Sequence, residues 1–205
     1  MLKFFVNRDK QFAERFSAAI DHLGSANPLL RSGSIRELDR IMHASPRDQN
    51  RVLQTYADFL RYRTREGVGP DSAGRMPCDV AAVLNALRGR RRLRYFREEP
   101  LDLTGIRLAR ADLREIRLPD VCLAGADLID TDLSGADLRG ANLVGANLSY
   151  TNLCDANLTG ADLTGADLCN ADLTGAQLTD AVLHGAELRG THLREVTGLA
   201  ELVLD

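Results

Sequence analysis

Two spacings of apolar residues divide this chain of 205 residues. In the first hundred positions, aliphatic and aromatic residues recur three and four apart, the period of a helix that buries one stripe. From Leu103 to Leu193 a Leu stands at every fifth position, nineteen in succession without an insertion. Neither an α-helix, at 3.6 residues per turn, nor a strand, with a period of two, keeps every fifth side chain on one side. The backbone must turn once in each pentad, and every turn brings a Leu inward.

Within the first hundred residues the stripes predict four helices. Phe12, Phe16, Ile20 and Leu23 line a helix over 8–23 that Gly24 and Ser25 stop. Ile35, Leu38, Ile41 and Met42 mark a second over 34–43. Ser45-Pro46-Arg47-Asp48 reads as a capped start with Pro at the first helical place, and Val52, Leu53, Tyr56, Phe59 and Leu60 face inward behind it. After a loop GVGPDSAG, residues 79–88 form a short fourth helix.

Around each repeated Leu the pentad has fixed tastes. The residue two before it is Ala in twelve pentads and Thr in three (Thr131, Thr151, Thr191), so this second inward place has little room. The residue just before Leu is Asp or Asn in ten successive pentads, from Asp127 to Asp172, and Gly often stands two after it. Short polar side chains that bond their own backbone, with Gly nearby, are what repeated tight turns favour.

Runs such as TDLSG, ADLRG, ANLVG, ANLTG and ADLTG resemble the pentapeptide-repeat family, whose motif is A(D/N)LXX, over residues 101–195. That resemblance implies a right-handed quadrilateral β-helix with four pentads per coil, just under five coils and roughly 23 Å long. The strings RFSAAIDHLGS and IRELDRIMHASPRDQNRVLQTYADFLR are similar to the helical region, often described as HEAT-like, that precedes the repeats in actinobacterial members. The expected class is therefore a mainly β solenoid behind a small α-helical domain. Its expected parts are a helical domain with a basic connector (1–97), the β-helix (98–195) and a carboxyl-terminal cap (196–205). At the small inward place the first five pentads carry Leu101, Ile106, Ile116 and Val121, with only Ala111 small, wide enough to pack against a preceding element. Gly198 falls where Leu is due, and the apolar VTGLAELVLD is expected to cover the last coil, whose open edge needs a cap.

Four pentads per coil stack residues twenty apart. Asp127, Asn147 and Asp167 then form one column and Asp132, Asn152 and Asp172 another. The turn Asn142, Asn147, Asn152, Asn157 separates two acidic turns, which removes several repulsions of roughly 1 kcal/mol each. Arg107 over Asp127 and Arg117 over Asp137 are expected attractive pairs, whereas Asp112 over Asp132 and Asp167 over Glu187 break the pattern.

Charge separates the same two regions. Residues 1–100 hold 19 Lys and Arg against 12 Asp and Glu, and residues 101–205 hold 7 against 17. Residues 126–185 contain nine Asp and one Arg. Acidic family members imitate duplex DNA and protect DNA gyrase from quinolones, so the resemblance offers gyrase or another topoisomerase as an alternative partner. Those mimics are usually all-repeat dimers without such a helical domain, which counts against mimicry here, and a homodimer stays open. The places where Gly is replaced, Arg110, Asp130, Tyr150 and Asn170, share one face and, with Asp127 and Asp167 beside them, form the candidate interaction surface. Arg88, Arg90, Arg91, Arg92, Arg94 and Arg97, with Tyr95 and Phe96, make a candidate basic patch. Its preferred reading is a run at a helix carboxyl end facing the acidic repeats, ahead of direct nucleic-acid binding.

The four His are scattered, the four Cys have no metal-ligand spacing and read as free thiols, and neither a Ser-His-Asp set nor a phosphate-binding loop is present. No apolar run reaches the length of a membrane span or signal peptide. The expectation is a cytoplasmic, non-catalytic protein-interaction scaffold with no cofactor and no metal, whose acidic surface meets a protein partner.

Overall fold

The computed structural model describes residues 2–65, 67, 69–71, 75–90 and 99–198. It divides into two compact units: Met1–Phe59 with Cys78–Glu99, and Leu60–Pro77 with Pro100–Asp205.

The first unit holds α1 (Leu2–Leu23), α2 (Pro28–Ala44), a 3-10 turn (Pro46–Asp48) that leads into α3 (Gln49–Arg65), and α4 (Cys78–Gly89), with the last turns of α3 assigned to the second unit. All four expected helices form. Two start earlier than their apolar stripes suggest. α2 begins at Pro28 because Asn27 caps it, its Oδ1 accepting from the Leu29 amide at 2.9 Å, and because proline suits a first turn whose amide has no helical partner. α1 extends back to Leu2. Phe16, Ala19 and Leu23 carry its buried stripe, and Ile20, expected inside, is exposed. Ser45 does not cap with its hydroxyl on a backbone amide; that hydroxyl donates to the Asp48 carboxylate at 2.5 Å.

Packing in this unit includes one buried ion pair. Arg31 on α2 donates from Nε to Asp79 at the start of α4 at 2.6 Å, and its Nη1 donates to both the Ser25 and Ala26 carbonyls at 2.7 and 2.9 Å. Both side chains are buried. The Tyr56 hydroxyl donates to the Ile35 carbonyl at 2.9 Å, tying α3 to α2.

The second unit is a stack of coils. Parallel bridges join residues twenty apart without a break, from Asp102–Cys122 to Gln177–Thr197, so four pentads complete each coil. Each side is a single bridging residue because the turn consumes two of the five. Hydrogen bonds satisfy the backbone on both sides of that residue: the Asp127 amide donates to Ile106 at 2.8 Å, and the Leu108 amide donates to Asp127 at 2.8 Å. The corner closes when the next pentad's first amide donates to the Leu carbonyl, as from Ala111 to Leu108 at 3.0 Å.

Leu and Ala fill the interior in columns that are almost wholly buried. Thr131 and Thr151 occupy the small inward place without an orphaned hydroxyl, because each donates to a carbonyl of the coil before it, Leu108 at 3.0 Å and Leu128 at 2.8 Å. The wide residues of the first five pentads, Leu101, Ile106, Ile116 and Val121, are buried too. At that end Arg61, on the last turns of α3, forms an ion pair with Asp102. At the other end burial falls away, and Leu193 is exposed. Gly198 sits at φ +84°, and a Cβ there would lie 2.3 Å from the Thr179 backbone nitrogen, so the chain leaves the coil at a place only glycine fits. The expected cover over the last coil falls mostly on residues 199–205, outside the described residues.

Candidate interaction surface of the repeat unit

The outward residue before each Leu is a turn device first and a charge second. In pentad after pentad its side-chain oxygen accepts from the backbone amide two residues on: Asp132 from Ser134 at 3.0 Å, Asn147 from Ser149 at 3.1 Å, Asp167 from Cys169 at 2.9 Å. This is the Asx turn, and it explains why Asn replaces Asp freely. The Cys169 amide, then the Ser149 hydroxyl, hold the Asp167 carboxyl below the usual range; the Thr174 hydroxyl and amide do the same to Asp172.

Arginines in neighbouring places neutralise part of the acidic surface. Arg139 grips Asp137 with two bonds of 2.7 Å, and Arg114 grips Asp112 at 3.0 and 2.8 Å while reaching to 3.8 Å from Asp132. Asp112 over Asp132 is therefore bridged by Arg114 from its own pentad. Glu187 below Asp167 has Arg189 at 3.9 Å. The arginine pairs come from the residue after Leu; across stacked places His192 lies 3.9 Å from Asp172, and backbone bridges join Arg107 to Asp127 and Arg117 to Asp137. The interleaved Asn residues contribute hydrogen bonds as well: Asn152 donates to Asp132 at 3.2 Å and Asn157 to Gln177 at 3.0 Å.

Register places Asp127, Asn147 and Asp167 in one bridge column and Arg110, Asp130, Tyr150 and Asn170 in the turn column at its edge. These four turn residues have φ of 60°, 56°, 60° and 58°, the left-handed region. Asn and Asp tolerate it; for Arg and Tyr it costs about 1–2 kcal/mol. Tyr150 is nevertheless 60% exposed, so neither burial nor packing offsets that strain. Val144, at the preceding corner of the same Asn-rich coil, is 37% exposed. Sequence reading passed over Val144; its signal was an aliphatic residue at a corner place held elsewhere mostly by Thr, Ser, Ala or Arg.

The candidate basic patch is divided. Arg90 is buried, and its guanidinium donates to the Leu87 carbonyl at 3.2 Å, capping α4. Arg88 reaches Asn85 at 3.4 Å. Arg91, Arg92, Arg94 and Arg97 lie outside the described residues. Among the described residues no His, Cys, Asp and Glu cluster is grouped to hold a metal ion, the four cysteines are free thiols, and no helix is long and apolar enough to cross a membrane.

A family model described as pentapeptide repeats matches residues 102–136, 122–160 and 156–195, which overlap to cover the whole coil stack. The repeat segment belongs to the pentapeptide-repeat family. Its family implies that the coils wind as a right-handed β-helix. Among solved structures, pentapeptide-repeat protein alr5209 from Nostoc is 37% identical over 52% of this chain and 86% of its own, with a TM-score of 0.44. Rfr23 from the cyanobacterium Cyanothece is 32% identical over 51% and 88%, TM-score 0.27. QnrB1, a plasmid-mediated fluoroquinolone resistance protein, is 20% identical over 51% and 64%, TM-score 0.24. Each of these likenesses covers about half of this chain. No curated relative matches it.

Proposed function

We propose that this pentapeptide-repeat protein is a non-catalytic interaction scaffold whose contact surface is the column Arg110, Asp130, Tyr150 and Asn170, with Asp127 and Asp167 beside it. The observation that carries the reading is Tyr150, an exposed aromatic residue in a left-handed turn place where most pentads have Gly or a short polar residue. A strained residue that gains nothing from its own fold is the kind retained for contact with something else. Around it the surface has the composition of a binding patch: an aromatic anchor and an aliphatic neighbour, Val144, on a coil whose single charge is Asp155, flanked by more acidic coils that favour a partner with basic residues. The test is comparative affinity capture from cell lysate with the wild-type chain and Tyr150→Gly. Partners retained by the wild type and lost by the variant support the reading; an identical set removes this face from consideration.

A second reading, protection of DNA gyrase or another topoisomerase by imitation of DNA, is favoured by charge density. Residues 126–185 carry nine Asp and one Arg over three coils, roughly 14 Å, or about one net charge per 2 Å. Duplex DNA carries one per about 1.7 Å. Against it stands the Asn coil, which interrupts the charge midway. Gyrase supercoiling with and without a quinolone separates the readings. No effect at micromolar protein sinks mimicry and leaves the scaffold reading intact.

A further inference from the structure

We infer that the helical unit carries an anion-binding cleft of its own, suited to a phosphoryl group on an aromatic carrier. The cleft, about 640 Å3, opens between α1 and the corner where the 3-10 turn enters α3. This is within the range of sites that hold small molecules. Its walls bring together Phe12 and Arg15 from α1 with Ser45, Arg47, Asp48 and Arg51 from the corner. Three arginines and one carboxylate share it. Arg15 is held by Glu37, with Nε at 2.7 Å, and the one carboxylate, Asp48, accepts from the Ser45 hydroxyl at 2.5 Å. Arg47 on the 3-10 turn and Arg51 on α3 remain, both exposed and both lining the cleft, and neither is paired with a carboxylate among the described residues.

Two like charges lining one cleft repel, and an anion between them relieves the repulsion. Arginine's planar fork favours phosphoryl or carboxylate oxygens over a simple ion. Arg51 is also positioned in advance: its guanidinium lies 4.1 Å above the Phe16 ring, which is stacked on Phe12 at 6.1 Å. The half-buried Phe12 ring lines the same cleft and offers an apolar wall for a base or phenyl group. The cleft is separate from the Tyr150 surface and makes no use of the repeats.

Isothermal titration of the full chain tests this with three probes that share the chemistry and differ in source: pyrophosphate, ADP and phosphotyrosine. ADP or phosphotyrosine is expected to bind more tightly than pyrophosphate. Arg47→Ala with Arg51→Ala weakens binding by roughly tenfold or more. Arg36→Ala, an exposed arginine of α2 outside the cleft, leaves it unchanged. Phe12→Ala lowers affinity for the aromatic probes alone. Should the alanine pair disturb the helical circular dichroism, Arg47→Lys with Arg51→Lys keeps the charge, removes the fork and is expected to weaken binding as well. The inference is overturned if no probe binds at millimolar concentration, if both arginine pairs bind as the wild type does, if Arg36→Ala loses as much affinity as they do, or if Phe12→Ala leaves the aromatic probes unaffected.

Discussion

The helical unit and the coil stack solve the same problem with opposite distributions of specificity. In the helices, stability is concentrated: Arg31 and Asp79, side chains far apart in sequence, meet in the interior, and each needs the other there. In the coils it is distributed: from residue 126 to 175 pentad after pentad repeats a buried Leu, an Asx turn and a corner bond, and charge stays outside. A one-off interaction fails all at once, whereas a repeated one fails locally and leaves its neighbours in place. The coil stack can consequently tolerate a strained residue such as Tyr150 on its surface.

Substitutions sharpen this contrast, the largest effect first. Asp79→Ala leaves the Arg31 charge buried without its ion-pair partner and is expected to cost about 3–5 kcal/mol. Urea unfolding followed by helical circular dichroism measures it, and replacing both partners by apolar residues is expected to cost far less. Leu148→Ala, in a fully buried column with Leu128 and Leu168, is expected to cost about 2–5 kcal/mol. Hydrogen exchange is expected to confine that loss to coils near residue 148, whereas Asp79→Ala loosens the whole helical unit. Equal spreading in both would break the comparison.

A smaller effect has the opposite sign. Gly at position 150 releases left-handed strain, so Tyr150→Gly is expected to stabilise the coils by about 1 kcal/mol. The smallest concerns acid. The folded Asp167 and Asp172 carboxyls are held below their ordinary range, so their contribution is present above the unfolded value near pH 4 and is lost as pH falls through the folded value. Asp167→Asn with Asp172→Asn keeps the turn acceptor, as Asn142, Asn147, Asn152 and Asn157 do, and is expected to flatten the fall in thermal midpoint below pH 4 with little change at neutral pH. A steeper fall would show that the carboxylates act otherwise than through their amide bonds.

The same contrast explains what was legible in advance. Position-by-position tastes in the pentads exposed the inward Leu and Ala, the Asx turn and the column Arg110, Asp130, Tyr150 and Asn170, because repetition shows each constraint many times. Pairings made once show no such signal. Arg31 with Asp79 joins residues 48 apart, and nothing near either marks the other. Ile20 fitted a helical stripe, yet Ala19 beside it is the residue that is buried. The grips of Arg114 on Asp112 and Arg139 on Asp137 were hidden because stacking drew attention to residues twenty apart, while a long side chain two places away reaches the carboxylate within its own pentad. Buried Arg90 looked like part of an open basic run until its helix end was seen to need it.

The central claim is that Tyr150 is kept for contact at the expense of stability, and paired measurement of thermal midpoint and partner capture for the wild-type chain and Tyr150→Gly tests it most directly. The account predicts a midpoint higher by a few degrees together with loss of captured partners. A lower midpoint, or capture equal to the wild type, would contradict it.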